Sequence, residues 1–221
     1  MGKLIVFSGI DGAGKSTQIQ LLMNNLRRNG EQTVYLWTRG GYTGSFIFLK
    51  SLLRCLLGSR LPPPGRSQQR EQILRKKGVR ALWLFLAILD LVFVYGIYIR
   101  FLKAAGKIVI ADRYVWDTWI DFRLSSPDEV IDSWASWKFL KIITPKPDHR
   151  FLLLIPVEES IRRSEIKNEP FPDSPEVLED RLRFYDELSR EDGWHVIQCM
   201  RPITVIANEI ASLCHLKAND C

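Results

Sequence analysis

Residues 7–17 read Phe7-Ser8-Gly9-Ile10-Asp11-Gly12-Ala13-Gly14-Lys15-Ser16-Thr17, and the fold is decided here. Gly9 to Ser16 satisfies G-x-x-x-x-G-K-S, a string that binds phosphate where a strand leads into it and a helix leads out. Both flanks are present. Leu4 to Phe7 is a short apolar run, and Ile19, Leu21, Leu22 and Leu26 recur at helical spacing beyond the loop. The glycines let the N–H groups of Gly12, Ala13 and Gly14 turn toward phosphate oxygens, and the helix that follows presents its positive end to the same anion. Lys15 is placed to bridge the β- and γ-phosphates of ATP, and Ser16 to hold Mg2+ through its hydroxyl. Gly9 and Thr17 bound this ATP-binding stretch.

Outward from the loop, Gly30 closes the first helix, and Thr33 to Trp37 is a second strand ending at Thr38-Arg39-Gly40-Gly41. Phe46 to Leu57 reads as a helix, followed by an irregular surface loop at Leu61-Pro62-Pro63-Pro64-Gly65. Ile108 to Ala111 is a third strand running into Asp112-Arg113-Tyr114, where Asp112 holds the strand-end position of a carboxylate that faces the metal. Phe151 to Ile155 and Val196 to Cys199 complete the strands. Between them lie a short helix carrying Arg162, Arg163 and Lys167, and a second helix opened by Ser174-Pro175-Glu176, a cap, a proline at the first helical position and an acid in the first turn. Pro202 opens the last helix. Strands alternating with helices predict an α/β fold of the three-layer P-loop kinase type, a mainly parallel sheet covered by helices on both faces.

Ala81 to Ile99 is almost wholly apolar and about 20 residues long, enough to cross a bilayer. Asp90 sits at its centre, and a carboxylate at mid-membrane costs about 2.5 to 3.5 kcal/mol, so the expectation is a buried helix and no membrane. The 221 residues, 46% hydrophobic, bound one domain over 1–221, with a lid segment around 160–175. A formal charge of +6 would suit nucleic acid, but a protein that gathers triphosphates needs a positive field as well. The basic run Arg66, Arg70, Arg75, Lys76, Lys77 and Arg80 reads as a solvated face, and no nucleic-acid partner is expected. Cys55, Cys199, Cys214 and Cys221 are scattered without a C-x-x-C pair, and no export signal precedes the first strand, which fits a reducing cytoplasm. His149, His195 and His215 show no metal or catalytic spacing and read as ordinary residues.

P-loop proteins divide into switches that hydrolyse GTP and kinases that pass the phosphate on. The chain has no N-K-x-D motif, and Asp112 is followed by Arg-Tyr instead of the D-x-x-G of the switches, which favours a kinase. The loop from Phe7 to Thr17, together with Asp112-Arg113-Tyr114, resembles the thymidylate kinases, and the order of strands and helices agrees along nearly the whole chain. The resemblance implies ATP and Mg2+, a small phosphorylated acceptor with dTMP as the family default, and a homodimer through helices beside the loop. It also implies that Asp11 approaches the acceptor's sugar hydroxyl, that Arg39 and Arg113, with Tyr114 beside them, hold the acceptor, and that Lys15 and Arg113 take part in the chemistry. Since the loop offers only Gly12 and Ala13 where some members keep an arginine, Arg162 or Arg163 is expected to neutralise the transferring phosphoryl group. Arg163 and Lys167 share a helical face and Arg162 points about a quarter turn away, which leaves open which of them reaches the phosphates.

The chain departs from the family pattern in three places. R-E-P-G-G after the second strand is reduced to Arg39-Gly40-Gly41. The arginine that follows F-A-A-D in the long helix is replaced by Leu91 after Asp90. The serines after D-R-Y give way to Val115-Trp116-Asp117-Thr118-Trp119-Ile120-Asp121-Phe122-Arg123. Trp116, Trp119 and Phe122 could stack on a flat ring and Asp117 or Asp121 could hold hydroxyls, while core packing explains the aromatic residues equally well. A kinase of the same fold with another acceptor, a sugar phosphate or a lipid-like phosphate, therefore stands beside the nucleotide reading. So does a binding module using the basic run, which the phosphate loop gives no reason to expect.

Overall fold

The computed structural model describes residues 2–38, 77–168 and 172–215. Arg39, the helix expected over Phe46 to Leu57, the Pro62 loop and the basic run from Arg66 to Lys76 lie outside the described residues. Among the described residues five strands form the centre: β1 (Leu4–Ser8), β2 (Thr33–Trp37), β3 (Ile108–Asp112), β4 (His149–Leu154) and β5 (Trp194–Gln198). They lie in the order β2-β3-β1-β4-β5 with every pairing parallel. A parallel neighbour cannot be reached by a tight turn, so the chain crosses over the sheet between strands.

The helices that do this are α1 (Lys15–Arg28), α2 (Lys77–Phe93), α3 (Ile99–Ala104), α4 (Val115–Ser125), α5 (Ala135–Ile143), α6 (Val157–Ile166), α7 (Pro175–Ser189) and α8 (Ile203–Leu213). Ser174 caps α7, its hydroxyl accepting the Val177 N–H at 3.5 Å. Successive residues of a strand point to opposite faces. Ile5 and Phe7 accordingly join one core with Ile19, Leu22 and Leu26 of α1 and Ile206 and Ile210 of α8. Leu4 and Val6 join another with Leu84, Ile88 and Leu91 of α2 and Trp137 and Leu140 of α5. Helices thus cover both faces, the three-layer α/β arrangement expected from the alternation of elements.

The long apolar helix is longer than the sequence suggested and only half buried. α2 runs through a π-helical turn (Val94–Tyr98) into α3, and Gly78–Ala104 has the length and apolar character to cross a membrane. One side packs Leu84, Ile88, Leu91, Tyr95, Ile99 and Leu102 into the second core, with Asp90 also buried. The other leaves Leu82, Phe85, Leu89, Phe93, Ile97 and Phe101 exposed in one stripe. Two of the described helices, α4 and α5, went unread. In α4, Val115, Ile120 and Phe122 are buried between the two cores, so no single apolar stripe marks the segment as a helix. Of the two readings open for its aromatic residues, stacking on a ring or core packing, the contacts are those of packing. Trp116 packs edge-on against Trp194 and Trp119 edge-on against Phe184, and Phe122 lies tilted against Trp137.

Candidate active site

All strands of a parallel sheet end on the same side, and the loops leaving those ends converge there. β1 delivers the phosphate loop, β3 delivers Asp112 and Arg113, and α6 lies against the loop from the β4 side. One cleft of about 190 Å³ is lined by Asp11, Gly12, Gly14, Lys15, Ser16, Thr17, Trp37, Asp112, Arg113 and Lys167. All but Trp37 were singled out from sequence.

The loop has room for glycine only where the backbone crowds it. Gly9 has φ 140°, and a Cβ there would lie 2.3 Å from the Leu153 carbonyl oxygen of β4. Gly12, at φ 78°, faces Ser160 and Arg163 of α6. That helix grips the loop by its carbonyls. Ser160 Oγ donates to Asp11 O at 2.6 Å, and Arg163 Nη1 donates to Gly12 O at 3.0 Å. Arg163 also bonds Glu159 and the Cys199 carbonyl, tying α6 and the end of β5 to the loop. Arg162 is different. It lies on the outer side of α6 in an ion pair with Glu159, its side chain 61% exposed, and is not among the residues lining the cleft. The quarter-turn argument therefore separates Arg163 and Lys167, on the loop side, from Arg162.

Lys15 is buried, its Nζ donating to Gly9 O and Ile10 O at 2.8 Å each and lying 3.9 Å from Asp11 Oδ1. Burial, and then the Arg113 charge, lower its pKa to about 8. Ser16 and Thr17 are exposed on the first turn of α1. Asp112 is 5% exposed, and burial pushes its carboxyl pKa up against the pull of Lys15, Arg113 and Tyr35. Its Oδ2 accepts the Tyr35 hydroxyl at 3.1 Å, while Oδ1 is buried with no hydrogen-bond partner. A buried carboxylate oxygen without a donor, sharing a cleft with the Ser16 hydroxyl, is the hard oxygen chemistry that suits Mg2+.

Arg113 has φ 73°, a left-handed conformation that a non-glycine residue keeps only when its surroundings impose it. Its N–H bonds Phe7 O at 2.8 Å, its carbonyl accepts the Thr38 hydroxyl, and its guanidinium bonds Asp11 Oδ1 and sits 3.9 Å from Asp117 Oδ1. Burial opposes the charge, but the Tyr185 oxygen and Asp11, Asp121 and Asp117 outweigh it and raise the pKa. Tyr114, expected at the acceptor, is corrected by the structure. It is fully buried, its ring against Tyr95 and Trp116 and its hydroxyl on the Pro145 carbonyl, because the chain turns down into α4 there.

Sequence reasoning missed the polar frame beneath the site. Asp117, considered as a hydroxyl binder, is 0% exposed. It accepts from Ser8 Oγ at 2.6 Å, the Tyr114 N–H at 2.9 Å and the Tyr185 hydroxyl at 2.6 Å, and the Tyr185 oxygen also lies 3.4 Å from Gly9 O. Arg181 of α7 joins Asp121 of α4 to Asp173 at 2.6 and 3.2 Å. A second cleft of about 580 Å³ meets the first at Asp11 and runs beneath α6 and the start of α7, past Ile161, Ser164, Glu165, Asp173 and Leu178.

No family model matches the chain. A thymidylate kinase of Desulfotalea psychrophila is 31% identical over 205 residues, covering 90% of this chain and 87% of its own length. The thymidylate kinase of Bartonella henselae is 27% identical over 223 residues, covering 96% and 95%. That of Dictyostelium discoideum is 26% identical over 217 residues, covering 96% and 84%.

Proposed function

The chain belongs to the thymidylate kinase family, and from that premise we propose that it passes the terminal phosphate of ATP to a nucleoside monophosphate, dTMP first among them. The observation that supports this reading is the meeting of two kinds of phosphate-binding group at one point. Lys15, at the end of the loop, has its Nζ 3.9 Å from Asp11 Oδ1, and the Arg113 guanidinium is bonded to the same oxygen. A planar guanidinium suits a phosphate monoester, and a loop at a helix N-terminus suits the polyphosphate of the donor.

In this reading the donor's β- and γ-phosphates lie on the loop with Lys15 between them. Arg113 holds the acceptor phosphate in line with the γ-phosphorus, and the second cleft takes the rest of the acceptor. An oxygen of the acceptor phosphate forms the new bond to the γ-phosphorus as the bond to the β–γ bridging oxygen breaks and ADP leaves. That oxygen is already ionised at neutral pH, so no general base is required and catalysis is positioning and charge neutralisation. Lys167, which lines the cleft, and Arg163, which holds Gly12, serve the transferring phosphoryl group; Arg162 does not. Mg2+ would be held by Ser16 and Asp112, where it neutralises phosphate charge.

The test is ADP release from ATP and Mg2+ with dTMP, the other nucleoside monophosphates, or no acceptor, with Lys15→Ala as the blank. Turnover that requires dTMP is expected, and Arg113→Lys is expected to raise the KM for dTMP and lower kcat/KM by about a hundred-fold or more, since lysine cannot make the forked contact. Turnover that is indifferent to every nucleoside monophosphate would sink the reading.

A further inference from the structure

Among the described residues β2 is an outer strand, and its last turn of register explains an unusual pair of side chains. Tyr35 pairs with Ile110 and Trp37 with Asp112, so Tyr35 is the diagonal neighbour of Asp112 on one face of the sheet. Val34 and Leu36 point the other way, against the core beneath α2. Tyr35 and Trp37 are 46% and 41% exposed, so neither is there chiefly to fill a core. Trp37 lines the phosphate cleft. The Tyr35 hydroxyl donates to Asp112 Oδ2 at 3.1 Å.

This contact decides which carboxylate oxygen is spoken for. A carboxylate rotates about its last bond, and its two oxygens are equivalent until a donor marks one of them. Here Oδ2 carries the Tyr35 hydroxyl, and Oδ1 has no partner. We propose that Tyr35 is a positioning residue for the metal: by holding Oδ2 it fixes the rotation of Asp112 and reserves Oδ1 for the divalent cation that accompanies the nucleotide. The inference rests on the reading of Asp112 given above. Hydrogen bonds to a ligating carboxylate orient it in this way, and their loss is commonly felt in metal affinity before anything else. Packing alone gives no reason for the hydroxyl, since phenylalanine would cover the same strand.

Tyr35→Phe removes the hydroxyl and keeps the ring. The readout is Mn2+ binding to the enzyme–ADP complex, followed by electron paramagnetic resonance without turnover, beside the affinity for ADP in the absence of metal. The variant is expected to bind Mn2+ roughly ten-fold more weakly, and to need a correspondingly higher Mg2+ concentration for half-maximal rate. Metal-free ADP affinity is expected to stay as in the parent. Asp112→Asn is measured alongside. If Asp112→Asn weakens Mn2+ binding and Tyr35→Phe does not, the role of Tyr35 is overturned and that of Asp112 stands. If neither does, the reading of Asp112 fails and takes that of Tyr35 with it. Equal losses of Mn2+ and of metal-free ADP in Tyr35→Phe would also overturn the proposal, because they report a damaged site and not a misplaced carboxylate.

Discussion

Asp117 is the residue on which the most parts of the site depend, although it touches neither cleft. Its two oxygens collect a hydroxyl from the end of β1, an N–H from the start of α4 and a hydroxyl from α7, in a place with no access to water. Truncation to alanine leaves the Ser8 hydroxyl and the Tyr114 N–H without their partner, each costing about 1 to 3 kcal/mol, and the Tyr185 hydroxyl with only its long contact to Gly9 O, so Asp117→Ala is expected to lose at least about 2 kcal/mol in urea unfolding. Asp117→Asn keeps one oxygen and is expected to lose less. A loss under about 1 kcal/mol for the alanine variant would mean that water or a neighbour replaces the carboxylate. None of this frame was legible in the sequence, because Ser8 and Tyr185 lie 109 and 68 residues away from Asp117. Lys15, Ser16 and Asp112 were legible because their chemistry is set by position relative to one strand end. Tyr114 was misread for a related reason. Adjacency to Arg113 suggested a shared role, but the left-handed backbone at Arg113 sends its own side chain over the sheet and the next one into the core.

At the scale of elements, the strands were the most readable parts, since a parallel strand buried on both faces is a short apolar run with breakers at either end. α4 was not, because two cores share it. The end of the strands opposite the loop holds another arrangement invisible in the spacing. β4 begins with His149, β5 carries His195, and His215 follows α8, and the His149 ring lies 6.1 Å from that of His195 and 6.5 Å from that of His215. Burial lowers the His149 pKa, and His195, Lys3 and His215 lower it further against the pull of Asp148. A depressed histidine is protonated more readily in the unfolded chain, so its neutral form stabilises the fold above about pH 6.5 and that stability is lost as the pH falls below it. Urea midpoints measured from pH 7.5 down to 5.5 are expected to fall, and His149→Gln is expected to flatten the decline. An identical slope in the variant would assign the acid sensitivity to other groups.

For the whole molecule, the two cores meet in one sheet, and the phosphate loop joins β1 to α1 while α6 holds it through Ser160 and Arg163 and α7 approaches it through Tyr185. A ligand that binds only the assembled loop therefore stabilises the entire fold, and the gain follows from its concentration: at about a hundred times its dissociation constant it is worth about 2.7 kcal/mol. In a chain of this length each kcal/mol moves Tm by about 2 to 4 °C, so ATP with Mg2+ is expected to raise Tm by roughly 5 to 10 °C before any acceptor is added. The competing source of such a shift is the formal charge of +6, which attracts any polyanion. Two controls separate them. Attraction to net charge is screened by salt and indifferent to a single lysine, whereas binding in the loop needs Lys15 and persists at an ionic strength that shortens screening to a few ångströms. A shift retained in 0.5 M salt and abolished by Lys15→Ala is the expected result. A shift that survives Lys15→Ala and disappears with salt would assign nucleotide binding to the surface charge and remove the loop's claim to it.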